Sequence, residues 1–138
     1  MPSLRPKSIG AAFLCTDIIR DVSNKISVIG IFTHDIVIDD FPAKFRFALY
    51  VEVYPSSEKS QVDFRIKIGE QELVEIKGEA GGPMGDMIPI MLSNLEAELM
   101  PNTSFKVEVR VSNDRWFAMV DKKIVLGKVE KLYPAPPA

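Results

Sequence analysis

The sequence predicts an all-β chain, a single antiparallel β-sandwich of about seven to nine strands. Three observations lead there. Valine and isoleucine together number 27, against 18 for alanine and leucine, and β-branched side chains fit a pleated surface better than a helix. Three runs alternate apolar and polar residues with period two: 45–54, 62–68 and 105–111. Each reads as a strand with one dry and one wet face. Between the runs, clusters of Pro, Ser, Asn and Asp mark turns.

Taken in order, residues 10–16 and 25–33 are apolar on both faces, as central strands are. Gly30 interrupts the second and marks a bulge or a close backbone approach. Ile36, Val37 and Ile38 continue that strand after a kink, and Asp39-Asp40-Phe41-Pro42 closes it. The 45–54 strand follows, then the polar loop 55–60, the 62–68 strand and a short strand at 72–77. Residues 79–86 form a glycine-rich loop. Residues 87–100 are ambiguous. Ile88, Met91, Leu92, Leu95 and Leu99 lie at helical spacing, and Ser93 with Glu96 matches a capping box. Pro89 and the flanking strands argue for an extended start, followed by a strand or one helical turn. Ser112-Asn113-Asp114 is a turn. Residues 115–120 and 124–131 are two strands or one long bent strand, with a turn or bulge at Asp121-Lys122-Lys123. The chain reads as one domain over 1–138, with 1–8 and 133–138 as tails.

Composition excludes several classes of function. No apolar run in the 138 residues approaches the length of a membrane span. Seventeen basic and nineteen acidic side chains give a net charge of −2, without the basic excess of a nucleic-acid binder. The expected partners are therefore neither nucleic acid nor membrane. Charge is uneven along the chain, with seven acids against Lys77 alone from Glu70 to Met100. The lone Cys15 lies in an apolar stretch and reads as an inert buried thiol. Residues 1–7 lack the apolar core of a signal peptide, so the expected compartment is the cytoplasm.

A resemblance enters at Leu14-Cys15-Thr16-Asp17-Ile18-Ile19-Arg20 and Asn24-Lys25-Ile26-Ser27-Val28-Ile29-Gly30-Ile31-Phe32. These stretches resemble a family of small uncharacterised bacterial proteins, in which a strand ending in Cys and Asp is followed by an Arg and a "K-x-S-x-I-G" strand. Pro101-Asn102-Thr103-Ser104-Phe105 also resembles the Pro-Gly-x-Tyr lead-in to a late strand of immunoglobulin-like sandwiches, with Phe105 in the tyrosine's place. The resemblance implies a loosely immunoglobulin-like sandwich and carries over no functional residue.

The chemical inventory is sparse. His34, Asp35, Asp39 and Asp40 form a polar cluster, short of the three or four converging ligands of a zinc site and of the six to eight oxygens of calcium. Cys15 and His34 lack an orienting third group for nucleophilic catalysis. The 79–86 loop lacks the Gly-Lys-Ser/Thr end of a phosphate loop. No catalytic residue, cofactor or metal ligand is assigned. Met84 and Met87 offer an adaptable apolar contact. Arg115, Trp116 and Phe117 have the composition of an interface anchor. The expected function is a non-catalytic protein-binding or self-associating module. The alternative is a small-ligand or metal-binding protein, with or without enzymatic activity, using the loops around 34–40 and 79–87.

Overall fold

The computed structural model describes residues 6–55, 59–81 and 86–127. Met84, the 133–138 tail and residues 1–5 lie outside them. The described chain is all-β, with ten strands in three sheets rather than the expected seven to nine. In chain order these are β1 (Ile9–Cys15), β2 (Asp17–Arg20), β3 (Ile26–Ile29), β4 (Ile36–Ile38), β5 (Ala43–Val53), β6 (Lys59–Ile68), β7 (Gln71–Gly81), β8 (Ile88–Leu99), β9 (Thr103–Val111) and β10 (Phe117–Leu126). A three-stranded sheet, β1-β5-β8, packs on a five-stranded sheet, β4-β10-β9-β6-β7, and β2-β3 form a separate hairpin. The pairing is not purely antiparallel: β4 runs parallel to β10. The chain reaches β4 by crossing from one layer to the other after Phe32, whose N–H donates to the Leu14 carbonyl.

The core follows from the alternation. Phe45, Phe47, Leu49, Val51 and Val53 of β5 face Val107, Val109 and Val111 of β9 and Val62, Phe64 and Ile66 of β6, all buried. Each fully buried side chain of this kind stabilises the fold by roughly 1.5–3 kcal/mol. Phe105 is buried in the core itself. Its ring meets those of Phe45 and Phe47 edge-on at 5.6 and 5.1 Å. Asn102 adopts φ +60° in the turn before β9, a conformation asparagine tolerates better than most residues.

One extra residue in β8 explains its helix-like spacing. Leu95 pairs with Phe47 and Leu92 with Leu49, so β8 advances three residues while β5 advances two. Asn94, at φ +58°, takes up the bulge. Ile88, Ile90 and Leu92 pack on the core before it, and Leu95, Ala97 and Leu99 after it. A period-two pattern with one insertion imitates a period of 3.6. Pro89 is tolerated because β8 is an outer strand of its sheet.

Other irregularities also differ from expectation. β10 is one continuous strand, and its extra residue is Met119 rather than 121–123. β7 runs to Gly81, so Glu79, Ala80 and Gly81 belong to a strand rather than a loop. Ser8, assigned to a tail, accepts a 2.8 Å hydrogen bond from the Tyr54 N–H. Gly30, by contrast, is the close approach expected of it: at φ +69°, a β-carbon there would collide with Thr16 Oγ1.

Candidate functional site

The outward face of the five-stranded sheet carries an ordered charge ladder. Asp63, Arg65 and Lys67 of β6 lie opposite Arg110, Glu108 and Lys106 of β9. Arg110 donates to Asp63 at 2.8 Å, and Arg65 and Lys67 bridge to Glu108 at 2.9 and 3.1 Å. Asp63 is fully buried, and its second oxygen accepts a hydrogen bond from Gln61. Trp116 lies against this ladder, its ring 4.1 and 4.5 Å from the Arg65 and Arg110 guanidinium carbons. Burial pushes the Glu108 carboxyl up, but hydrogen bonds and charge from Arg65 and Lys67 outweigh it and hold the pKa below its ordinary value.

The anchor residues singled out in the sequence are therefore split. Phe117 packs on the core, whereas Trp116 lies on the opposite face, partly covered and engaged by two arginines. Arg115 is exposed and has an interaction of its own. Met87 is 41 % exposed and leads into β8 of the other sheet.

Among the described residues, the polar cluster lies away from residues 79–81, the end of β7. Asp35, Asp39 and Asp40 are exposed, and the exposed His34 places Nδ1 2.8 Å from Thr33 Oγ1. Among the described residues no three His, Cys, Asp or Glu side chains group to hold a metal. β4 and β7 are opposite margins of the five-stranded sheet, with β10, β9 and β6 between them. Four strand spacings separate the margins by about 19 Å. Residues 39–40 follow Ile38, which pairs with Leu126, while Gly81 pairs with Lys59 at the other end of the sheet.

The buried titratable groups are committed elsewhere. Cys15 is fully buried and its Sγ lies 3.5 Å from the Ala48 carbonyl. Burial, then the Asp17 charge, pushes its thiol pKa up, which lowers its reactivity. The Tyr50 hydroxyl donates to Glu52 at 2.9 Å. Burial and that bond push its pKa to about 12. Glu52 also accepts from the Ala11 N–H in the β1 bulge. These groups hold the outer side of the three-stranded sheet together.

What remains is an open side. β7 and β8 are marginal strands of the two packed sheets. Between them lies an apolar slot of about 180 Å³, lined by Val62, Phe64, Ile76, Gly78, Ile90 and Leu92 among others. Val74 and Leu73 of β7, each 43 % exposed, extend the apolar surface along that strand. The slot is smaller than the roughly 300–1,000 Å³ of a drug-sized ligand pocket, and matches one or two inserted side chains. A wider depression of about 490 Å³, lined by Gly69, residues 102–104 and residues 123–125, is shallow and open to solvent. A second apolar surface is carried by the β2-β3 hairpin, where Ile19, Val22 and Ile29 are exposed.

Sequence reading missed β7 as a surface because its apolar residues read as an ordinary short strand. The available signal was Leu73-Val74, two adjacent apolar residues in an otherwise acidic stretch. No protein-family model matches the chain, and no curated protein matches it.

Proposed function

We propose that this protein is a non-catalytic protein-binding or assembly module working through the open side between β7 and β8. One observation carries the reading. Two long marginal strands flank an apolar slot sized for side chains, with Leu73 and Val74 exposed on β7 and Met87 exposed just before β8. Marginal strands offer unpaired N–H and C=O groups, and added strands bind through them while side chains fill adjacent pockets. In this reading the two layers are a loosely immunoglobulin-like sandwich, in keeping with the likeness to the small bacterial family. The module would act in the cytoplasm.

The test compares the wild-type chain with a Val74→Lys/Met87→Lys variant. Self-association is followed by sedimentation velocity, and bound proteins by affinity capture. Both residues are exposed, so the variant should melt close to wild type at dilutions where wild type is unassociated. The expected result is an association made by the wild type and lost by the variant. An association unchanged in the variant, or a wild type that associates with nothing, would sink the reading.

A further inference from the structure

We infer that the margin of β7 that no other described strand pairs lies antiparallel to β7 of a second copy of this chain, about a two-fold axis passing between the two Ile76 residues. This rests on the assembly reading above and names its partner.

The four margins of the packed sheets are not equivalent. β4 has three residues. β1 is bulged between Ile9 and Ala12, and its Leu14 carbonyl is taken by the Phe32 N–H. β8 carries Pro89, which has no N–H, and the bulge before Leu95. β7 has one irregularity, at Leu73, and from Val74 to Gly81 it pairs with β6 without a break. Bulges, prolines and brevity are devices that blunt a margin, and beyond the bulge at Leu73 the stretch 74–81 of β7 has none of them.

Charge then selects the register. A two-fold axis normal to the sheet sets one residue of β7 opposite its own copy. Centring on Glu75 or Lys77 places like charges directly opposite, which is destabilising. Centring on Gly78 sets glycine on glycine and leaves the middle of the contact empty. Centring on Ile76 sets Glu75 opposite Lys77 of the second copy, twice by symmetry. These residues share the outward face of the sheet, opposite Arg65 and Asp63 of β6. On the inward face Ile76 meets Ile76, and Val74 meets Gly78 of the second copy. Gly78 lines the slot and has no side chain to fill it, so each copy's exposed Val74 covers the other's opening. Glu72 and Glu79 fall outside this five-residue contact. The result is a continuous ten-stranded sheet with closed two-fold symmetry.

Directly opposite residues of an antiparallel pair have Cα atoms about 4.5–5.5 Å apart, within disulfide reach. The experiment uses the full chain with the buried Cys15 left in place. Ile76→Cys is oxidised alone. Val74→Cys and Gly78→Cys are oxidised separately and as a mixture, and sedimentation velocity follows wild type and Val74→Lys. Expected are a wild-type dimer and a covalent dimer from Ile76→Cys. The mixture should cross-link and neither of its components alone, because Val74 lies about 13 Å along the strand from its own copy. Val74→Lys should weaken the dimer about tenfold or more, the scale of removing one apolar side chain from an interface. A wild-type dimer in which Ile76→Cys stays uncross-linked overturns the inference. So does a monomeric wild type. If that monomer still captures another protein that Val74→Lys/Met87→Lys loses, the assembly reading survives; if it captures none, both fall.

Discussion

β6 has two neighbours, and they could hardly differ more. Toward β9 its inward residues meet Val107, Val109 and Val111, at most 4 % exposed, while outward Asp63 and Arg65 face opposite charges and Lys67, opposite Lys106, reaches across to Glu108. Toward β7 the same residues face Ile76, the bare Gly78 and a Val74 that is 43 % exposed. The two flanks share one strand and similar alternation. They differ because three strands cover five, so the cover ends before β7 does. One flank is finished within the chain; the other has a surface suited to a partner.

The largest expected effect tests the finished flank. Phe105→Ala empties the centre of the aromatic cluster and should cost about 3–5 kcal/mol, read by urea unfolding. Against a typical total of about 5–15 kcal/mol that approaches global unfolding. Asp63→Ala comes next. It leaves the Arg110 guanidinium without its 2.8 Å partner and should cost about 3 kcal/mol, as when one member of a buried ion pair is removed. If the cost is near zero, the ladder is a solvated decoration and the contrast between the flanks is only apolar. Trp116→Ala removes two guanidinium–ring contacts and should cost about 1–2 kcal/mol.

Glu108 sharpens the comparison through pH. Its folded pKa lies below the ordinary carboxylate value because the Arg65 and Lys67 interactions outweigh burial. Its contribution is therefore fully present above that ordinary value and is lost as pH falls through the lowered folded pKa. Glu108→Gln should be less stable than wild type at neutral pH, and the gap should close on acidification. A gap that is constant from neutral to acid pH would show that the charge is not what matters. The smallest effect belongs to the open flank. Val74→Lys should change the stability of the monomer, measured at concentrations where wild type is dissociated, by no more than about 0.5 kcal/mol. A larger loss there would mean that Val74 belongs to the core and not to a surface.

Tyr50 marks the same distinction on the other sheet. Its pKa is raised to about 12 by burial and the Glu52 bond. The stability of the phenol form is complete below the unfolded value near 10 and is lost as pH rises toward 12. Tyr50→Phe should remove that alkaline limb from a melting-temperature profile.

The sequence by itself determined the strands whose alternation is unbroken. Residues 45–54, 62–68 and 105–111 read as strands from their two-residue period, but the single wet face expected of the first fails in β5, where Ala48 and Tyr50 are buried as well. It also determined that Phe105, without a hydroxyl, could be buried with no hydrogen-bond partner. The tertiary structure decided the rest. A single inserted residue shifts the alternation of β8, and only its pairing with β5 shows that Leu92 and Leu95 face the same core. The parallel place of β4, the union of Trp116 with Arg65 and Arg110, and the place of β7 at a margin of the described sheet depend on which strands become neighbours. That order is set by contacts between residues far apart in the chain, and local patterns carry no record of them.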